Sequence, residues 1–589
     1  MGAIFGIVGY AESEELQRMA ERLRHLGQAS SVFAASPEVW FGEVQSKEIA
    51  TQSISTTLPV VLDGFIDNGR ELAEVLSLPG SCSDAALLLA VYRRLGHEGF
   101  WRIRGQFAAA FWDPNTRTAV LVRDPLGIRS LYLTRLKQRT LFASEYKALL
   151  AIEEVPALPD TEAIAHLQRT KYMPLDRSCL RDIRPLPPGH WYELGPEGAR
   201  RGDYRQLRVN VQARPEAQHA SCLRKSLITA ASRQTERYNR LGVALSTGID
   251  SALTVAAVRS VAPNKELHTF TAGFGPDDPE MADAAKVARR FDTTHHEIQV
   301  STEQLPELLP KFVWFMEDPI GRDELLYYYL TADTASKWVP ILFGGYLSDN
   351  LFGGMPRHLI VKAATTLPVF KTALWEFFDY TQSGRVPVSM GGRLLVHGYF
   401  RSGLVPQARL RDVPNQGPPP RERPNGREGL NEFMFQTLRN GGNALACIQR
   451  LNSSAGIASN ALFYDLSVVE CAFEIPSSLK IKGQQRKYIL REAAQGLLPD
   501  EIRRHKKGFL RLRHDRDFCD FLDDLIEDVL PMEEVVARGL FEAESVRHLR
   551  QRPASGVYST EHVYRLWSLL LLEYWSQAFL DQRGRVPSR

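Results

Sequence analysis

Between residues 241 and 343, short apolar runs alternate with helical patterns, and this alternation constrains the fold more than any other feature of the chain. The apolar runs predict strands at Val243–Leu245, Leu267–Phe274, His295–Val300 and Pro340–Phe343. The patterns between them predict helices at Ala252–Val261, Glu280–Phe291 and Leu305–Phe315. Strands joined through helices run parallel and are covered on both faces. Ligands of such a sheet bind at the carboxyl ends of its strands.

The first of these strands ends in a turn of small and hydroxyl-bearing residues, Ser246-Thr247-Gly248-Ile249-Asp250-Ser251. A strand–turn–helix junction directs backbone N–H groups and the positive end of a helix dipole at one spot, which suits an anion. Asp250 would face a bound phosphate there, and that arrangement requires a metal ion between them. An ordinary turn capped by Ser and Asp is the alternative.

A second acidic turn, Gly344-Gly345-Tyr346-Leu347-Ser348-Asp349, follows the strand at Pro340–Phe343. Two neighbouring strand ends bring Asp250 and Asp349 together, and two carboxylates facing a triphosphate would hold Mg²⁺. A helix cap is the alternative role for Asp349. Further along, Lys506 lies in a basic segment and would neutralise charge on a phosphate in a transition state. A solvated basic surface is the alternative there.

The residues before about 205 are rich in short strands, and we expect an α+β sandwich with helices outside. The predicted strands are Ala3–Val8, Pro59–Leu62, Phe107–Trp112, Ala119–Val122 and Thr140–Ala143, and the helices are Glu14–Leu26 and Ala85–Leu95. The N-terminal part resembles, segment by segment and in order, the glutaminase domain of glutamine-dependent asparagine synthetases. The matching segments are Gly6–Tyr10, Asp63–Leu72, Arg123–Tyr132, Phe142–Leu149 and Leu186–His190. The resemblance implies an Ntn-type αββα sandwich over residues 1–205.

The departures from that family matter more than the match. The family's nucleophile is a cysteine after the initiator Met, and Gly2 stands there. The family's glutamine-holding His-Arg-Gly-Pro-Asp is reduced to residues 25–29, Asp63 replaces an Asn, and Ala86 replaces a Glu beside the matching Asp84. We therefore expect no glutamine hydrolysis and a domain that is a structural relic or a docking surface.

The remaining chain, residues 215–589, resembles the synthetase domain of the same family, an adenylating ATP pyrophosphatase with an α/β PP-loop sheet and a helical C-terminal part. The family's loop is Ser-Gly-Gly-x-Asp-Ser, so Thr247 stands for a Gly, and Asn350 replaces a Glu. The resemblance implies ATP and Mg²⁺ as cofactors, with Asp250 and Asp349 at the metal and Lys506 catalytic. The implied ATP and pyrophosphate ligands are Leu245, Ser246, Thr247, Gly248, Ile249, Asp250, Ser251 and Gly345.

Residues 411–428 contain five prolines, so we expect a mobile loop there.

Tyr346 suggests a subgroup. Asparagine synthetases carry a Glu at this place, whereas β-lactam synthetases, which lost glutaminase activity, carry a Tyr that activates an internal amine. Residues 429–432 resemble the segment bearing their catalytic Glu, so Tyr346, Glu432 and Lys506 form the expected amine-activating set. A core aromatic with a satisfied hydroxyl is the alternative for Tyr346, and an exposed helix charge is the alternative for Glu432.

The expected activity is adenylation of a substrate carboxylate followed by attack of the substrate's own amine, giving a lactam. Lasso-peptide cyclases also resemble this family, and the long segment between Met355 and Leu430 leaves room for a peptide substrate. A β-lactam-type synthetase acting on a small amino-acid derivative, an ammonia-dependent asparagine synthetase and a non-catalytic scaffold are the alternatives. A precursor-peptide protease and a second copy of the chain are candidate partners.

Composition excludes several other classes. A net charge of +3 on 589 residues provides no broad basic surface for nucleic acid. The six cysteines are scattered without a CxxC pair, which indicates a reducing cytoplasm. No apolar run is long enough to span a bilayer.

Overall fold

The N-terminal part is built on two antiparallel sheets. The structure, a computed structural model, describes residues 2–45, 59–80, 82–273, 278–367, 370–383, 389–392, 395, 410, 423–440, 442–505 and 515–587. Within them, one sheet has six strands in the order β2-β3-β1-β8-β7-β9 and the other has five in the order β11-β10-β6-β5-β4. The strands are β1 (Gly2–Val8), β2 (Ala29–Ser36), β3 (Val39–Gln45), β4 (Val60–Ile66), β5 (Gly105–Asp113), β6 (Thr118–Arg123), β7 (Tyr132–Leu136), β8 (Arg139–Ala143), β9 (Arg184–Pro185), β10 (His190–Gly195) and β11 (Gly198–Asp203).

Alternating side chains along each strand build the layers of this part. Ile4 and Phe41 from one sheet meet Val61 and Ala108 from the other in a shared core, whereas Phe5 points to the opposite face. That outer face is covered by helix α1 (Ser13–Arg22), and α3 (Asp84–Leu95) covers the second sheet. The other helices here are α2 (Gly69–Val75), α4 (Tyr146–Leu149) and α5 (Thr161–Thr170). The predicted αββα sandwich is confirmed, although six of its strands, β2, β3, β7, β9, β10 and β11, were not among the predicted strands.

The second part contains a parallel five-stranded sheet in the order β14-β13-β12-β15-β16. Its strands are β12 (Arg240–Ala244), β13 (Glu266–Gly273), β14 (Thr294–Gln299), β15 (Ile341–Phe343) and β16 (Ala458–Asn460). The chain runs from β12 outward to β14, then returns to the other side of β12 with β15. Val243 pairs with Phe343, so the loops that follow β12 and β15 leave the sheet side by side. This reversal of strand order is where parallel sheets bind ligands.

Helices surround this sheet and form the C-terminal region. They are α6 (Glu216–Thr235), α7 (Ile249–Val261), α8 (Pro279–Arg290), α9 (Leu305–Met316), α10 (Glu324–Ala335), α11 (Ser348–Phe352), α12 (Pro356–Thr366), α13 (Lys371–Ser383), α14 (Gly429–Asn440), α15 (Gly442–Ser454), α16 (Leu466–Glu474), α17 (Ser477–Lys480), α18 (Tyr488–Ala493), α19 (Asp500–Arg504), α20 (Arg516–Val529), α21 (Met532–Arg538), α22 (Ala543–Leu549) and α23 (Thr560–Trp575). A hairpin, β17 (Ile481–Lys482) with β18 (Gln485–Arg486), precedes α18. Among the described helices, none has both the length and the apolarity to cross a membrane.

Two boundaries differ from prediction in a way that affects the site. The strand β12 ends at Ala244, one residue before the predicted end, and α7 begins at Ile249, three residues before the predicted start. Gly248 is the N-cap with extended backbone, and small residues around it let the helix begin early. As a result Asp250 and Ser251 lie in the first turn of α7.

Of the expected mobile loop 411–428, residues 411–422 lie outside the described residues.

Candidate active site

The turn after β12 is closed by its own hydroxyl groups. The N–H of Ser246 donates to Ser251 Oγ over 3.0 Å, and the N–H of Gly248 donates to Ser246 Oγ over 3.2 Å. These bonds fold the turn tightly over the N-terminus of α7. The buried Thr247 hydroxyl has no hydrogen-bond partner among the described residues. A preformed loop with an uncommitted hydroxyl over a helix N-terminus is suited to bind phosphate oxygens.

The two predicted carboxylates do lie together, and Lys487 joins them. Its Nζ contacts Asp250 Oδ2 and lies 2.6 Å from Asp349 Oδ1. Ser348 adds a second link, because its Oγ donates to Asp250 Oδ1 over 2.6 Å. The side chains of Asp250 and Lys487 are each only 6% exposed, whereas that of Asp349 is 29% exposed. One carboxylate is therefore fixed inside the site and the other faces its opening.

Two glycines allow this close approach. A Cβ on Gly345 would lie 2.8 Å from the Asp250 Cβ, so the loop after β15 passes directly against the loop after β12. A Cβ on Gly354 would lie 1.8 Å from Asp349 Oδ1 and 2.2 Å from Lys487 Cε. Neither site has space for a side chain, which explains glycine at both positions.

The Asp250–Asp349 pair has the donors that a magnesium–nucleotide complex needs. Mg²⁺ in nucleotide sites takes one or two carboxylates, with phosphates and water completing its shell. No cluster of three or more His, Cys, Asp or Glu side chains able to hold a metal occurs in the described part of the chain. An ammonium group, that of Lys487, already lies between the two carboxylates as a stand-in cation. The residues present therefore fit Mg²⁺ carried by a nucleotide.

Tyr346 lies in the same loop, with its ring buried. The ring packs edge-on against Tyr328 at 5.0 Å and parallel to Tyr464 at 6.2 Å. Burial, with a smaller contribution from Tyr328, raises the pKa of its hydroxyl, and the Asn452 side chain partly offsets this rise. The hydroxyl makes no hydrogen bond of ordinary geometry within the described residues. The tyrosine is thus neutral at physiological pH, and its hydroxyl is held beside α15.

The other two members of the expected amine-activating set are less closely tied to this loop. Glu432 lies on α14, which packs against α11, but its side chain is exposed. No hydrogen bond or ion pair links it to Tyr346 or Asp250 in the described structure. Lys506 lies outside the described residues. The residue before it, His505, is anchored by Asp283 at 3.2 Å and by Arg491, which donates to its carbonyl over 3.3 Å.

Lys487 and Ser348 belong to the site, but neither was predicted from the sequence to have a role in it. Lys487 stands between the hairpin β17–β18 and α18, with a left-handed backbone (φ 56°) that is uncommon for a residue with a side chain. Hydrophobic periodicity gives no sign of it, because a single Lys before a short helix resembles a surface residue. Ser348 lies directly before Asp349, and a hydroxyl beside a predicted metal-binding carboxylate could have indicated a role in the site.

The cavity beside Gly2 in the N-terminal part is small. Gly2, Asp63, Arg129 and Ser144 are among the residues that line a cavity of about 10 Å³, enough for about one water molecule. Arg129 Nη1 lies 3.3 Å from Asp63 Oδ1, and Ser144 Oγ donates to Asp63 Oδ2 over 3.1 Å. These contacts hold the Asp63 carboxylate in place at the wall of the cavity. A Cβ on Gly2 would lie 1.9 Å from the Val44 carbonyl oxygen, so the backbone leaves no space for a side chain there.

Polar groups of the N-terminal part are instead committed to contacts with the second part. Asp84 accepts two bonds of 2.8 Å from Arg237, and Gln106 donates to Asn460 Oδ1 over 2.8 Å. His25 lies 3.0 Å from Glu145 and packs against Trp314. These residues, two of which match substrate-binding segments of a glutaminase, now fasten the two parts together.

A second polar cluster also joins the N-terminal part to the second part. Arg357 on α12 donates to the hydroxyl of Tyr172 over 3.2 Å and 3.3 Å. Arg322 stacks over the Tyr172 ring at 5.7 Å and pairs with Glu324. Burial opposes ionisation of the phenol, but the two guanidinium groups outweigh it and lower the pKa of Tyr172 to about 8. The N-terminal part thus contributes a side chain beside α10, the helix that carries Tyr328.

Comparison with known families assigns the chain. The Asparagine synthase model matches residues 222–577, and the Glutamine amidotransferase domain model matches residues 1–205. The chain belongs to the asparagine synthase family. Like its homologues, this asparagine synthase family member is an ATP-dependent carbon–nitrogen ligase. The predicted fold, a glutaminase-like sandwich followed by an ATP-pyrophosphatase domain, is confirmed.

Its relatives are similar along most of their length. An asparagine synthetase [glutamine-hydrolyzing] 1 from Bacillus subtilis is 26% identical, over 86% of this chain and 85% of its own. A putative asparagine synthetase [glutamine-hydrolyzing] from Mycobacterium bovis is 27% identical, over 89% and 84%. A solved glutamine phosphoribosylpyrophosphate amidotransferase from B. subtilis matches 52% of this chain at 12% identity, with a TM-score of 0.28. That score is too low to support a structural argument.

Proposed function

We propose that this asparagine synthase family member closes a lactam. A substrate carboxylate attacks the α-phosphate of ATP, forming an acyl-adenylate and releasing pyrophosphate. An amine of the same substrate then attacks the acyl carbon, the bond to AMP breaks, and a ring amide forms. The observation that supports the proposal is the pairing of Asp250 and Asp349 through Lys487, in a chain whose N-terminal part holds no nucleophile at residue 2 and no space for a side chain there. Such a chain needs another source of the amine.

The nucleotide half of the reaction follows from the loop after β12. Backbone N–H groups at the start of α7 and the Thr247 hydroxyl bind the pyrophosphate portion. Asp250 and Asp349 hold Mg²⁺, which when bound offsets charge on the phosphates. Lys487 supplies a cation at the same point, and Ser348 orients the Asp250 carboxylate. The buried setting strengthens these interactions over those in water.

The amine half involves Tyr346, Glu432 and Lys506. Tyr346 lies one residue beyond Gly345, which touches Asp250, so it is adjacent to the nucleotide site. A neutral tyrosine hydroxyl relays a proton from the attacking amine to a carboxylate such as that of Glu432. Lys506 stabilises charge on the departing adenylate. The Asn452 side chain interacts with the Tyr346 hydroxyl.

A peptide is the substrate class that best suits the segment between Met355 and Leu430, and we name a lasso-peptide macrolactam cyclase as the leading candidate. Leu367, Phe370 and Met390 in this segment are 49%, 61% and 79% exposed, so apolar side chains are available for contact with a peptide. A β-lactam-type synthetase acting on a small amino-acid derivative shares the chemistry. An ammonia-dependent asparagine synthetase is the second candidate, because the named relatives are asparagine synthetases.

Exchange of radiolabelled pyrophosphate into ATP tests the proposal. The enzyme is given three substrate sets: peptides with a free N-terminal amine and an internal Asp or Glu, N-carboxyalkyl amino acids, and aspartate with ammonium. Exchange with one of the first two sets, and a product lighter than substrate by one water, supports lactam formation. Exchange with aspartate and formation of asparagine contradict it. The absence of exchange with any set favours a non-catalytic scaffold.

A further inference from the structure

The ammonium group of Lys487 lies where a divalent cation would bind. It contacts one oxygen of Asp250 and lies 2.6 Å from one oxygen of Asp349. The lysine stem lies flat on Gly354, since a Cβ there would be 2.2 Å from its Cε. The left-handed backbone of Lys487 holds the side chain in this direction at an energetic cost. Such a pinned, buried cation indicates a defined role.

Charge balance shows what this arrangement does. These two carboxylates and the ammonium together carry a net charge of −1, and the Ser348 hydroxyl donates a hydrogen bond to Asp250. A bare divalent cation entering this site must displace the ammonium or lie next to it, and both are unfavourable in a buried setting. A nucleotide triphosphate changes the balance, because its oxygens can accept both the ammonium and the metal. The flexible four-carbon stem of lysine permits the movement.

We infer that Lys487 is a built-in counter-ion that keeps the Asp250–Asp349 site closed to a bare divalent cation and releases it when a nucleotide arrives. The metal then enters as its nucleotide complex. This inference rests on the assignment of Asp250 and Asp349 as the metal ligands, and it does not depend on which amide the enzyme forms. It gives Lys487 a positioning role before the reaction begins.

Binding of Mn²⁺, followed by electron paramagnetic resonance, tests the inference with the full-length chain and no carboxylate substrate. Wild type is compared with Lys487→Met, with and without α,β-methylene-ATP. We expect Lys487→Met to bind Mn²⁺ alone at least about tenfold more tightly than wild type, because one repelling charge is removed. The nucleotide should then improve Mn²⁺ affinity less in the variant than in wild type. Equal or weaker binding of Mn²⁺ alone by Lys487→Met overturns the inference.

Three further variants keep the result interpretable. Lys482→Met removes a nearby exposed lysine that pairs with Glu216, and it should leave Mn²⁺ binding unchanged. Lys487→Arg keeps the positive charge and should bind Mn²⁺ alone as weakly as wild type; tight binding by this variant contradicts the inference. Asp349→Asn combined with Lys487→Met should lose the increase in Mn²⁺ affinity that Lys487→Met produces alone. If the increase persists, the ion binds elsewhere and the inference is overturned. Should Lys487→Met fail to fold, Lys487→Gln replaces it under the same criteria.

Discussion

Ser348 Oγ donates a hydrogen bond of 2.6 Å to Asp250 Oδ1, and so joins the loop after β15 to the loop after β12. The bond fixes one carboxylate oxygen and leaves the other facing Lys487. Because Val243 pairs with Phe343 near the ends of the two strands, the two loops begin side by side. The geometry of the nucleotide site therefore depends on a short link between two elements about a hundred residues apart in sequence.

Ser348→Ala should weaken use of ATP without unfolding the protein. A hydrogen bond to a charged group contributes about 1.5–3 kcal/mol, so kcat/KM for ATP in pyrophosphate exchange should fall by roughly 10- to 100-fold. Ser336→Ala, which removes an exposed hydroxyl at the end of α10, serves as the control. An unchanged kcat/KM for ATP in Ser348→Ala means that the bond does not orient Asp250.

Gly2→Cys should not restore glutamine hydrolysis. The added Cβ would lie 1.9 Å from the Val44 carbonyl oxygen, so a cysteine side chain at this position has no space. Glutamate release from glutamine, together with labelling by a glutamine-analogue chloroketone, measures the outcome. Release above the wild-type level, with covalent labelling of the introduced cysteine, contradicts the view that position 2 has no space for a side chain.

Loss of one partner of the Arg129–Asp63 ion pair should destabilise the protein far more than replacement of both partners by apolar residues. Both side chains are at most 5% exposed, and loss of one partner from a buried ion pair costs about 3–5 kcal/mol. Arg129→Met should therefore lower the unfolding midpoint in urea strongly. Arg129→Met with Asp63→Leu should recover most of that loss, because neither buried charge is left alone. A double variant as unstable as the sum of the single variants argues against this account.

Tyr172 should titrate well below an ordinary tyrosine. Its pKa is about 8, lowered from about 10 in the unfolded chain. Because the pKa of Tyr172 is lower in the folded protein, its ionisation stabilises the fold fully above about pH 10, the pKa in the unfolded chain. This stabilisation is lost as pH falls through about 8, the pKa in the folded protein. Ultraviolet absorbance of tyrosinate should show one group ionising near pH 8 in wild type. Tyr172→Phe should lack this group, and Arg357→Gln should move it upward; an unchanged titration in Tyr172→Phe assigns the group to another residue.

Tyr346→Phe should separate the two halves of the reaction. The variant keeps the buried ring beside Tyr328 and Tyr464 but loses the hydroxyl. Pyrophosphate exchange should stay within a few-fold of wild type, whereas ring closure should slow by about 10²–10⁴-fold if the hydroxyl relays the amine proton. Tyr464→Phe, with an equally buried hydroxyl, is the matched control. Equal loss of exchange and ring closure assigns Tyr346 a structural role.

The sequence was most informative where function follows strand order. Asp250 and Asp349 each follow a predicted strand of one parallel sheet. Because ligands of such a sheet bind where its strands end, the two carboxylates were expected to lie close together, and in the structure both contact Lys487. Lys487 follows no such rule, because it reaches the site from a hairpin more than a hundred residues beyond β15. Tyr172 and Arg129 are similar cases, since their partners lie in distant segments. Long-range pairs of this kind leave no periodic trace in a single sequence.

The central claim is that an adenylated carboxylate is captured by an amine of the same molecule. An isotope experiment tests it, using the substrate accepted in the exchange assay with a heavy-oxygen label in its carboxylate. Ammonium and glutamine labelled with heavy nitrogen are present throughout. With both carboxylate oxygens labelled, we predict one heavy oxygen in the AMP released and the other in the product amide. The product is then lighter than the labelled substrate by one molecule of heavy-oxygen water, and it contains no heavy nitrogen. Heavy nitrogen in the product, or label in inorganic phosphate with ADP as the released nucleotide, would contradict it.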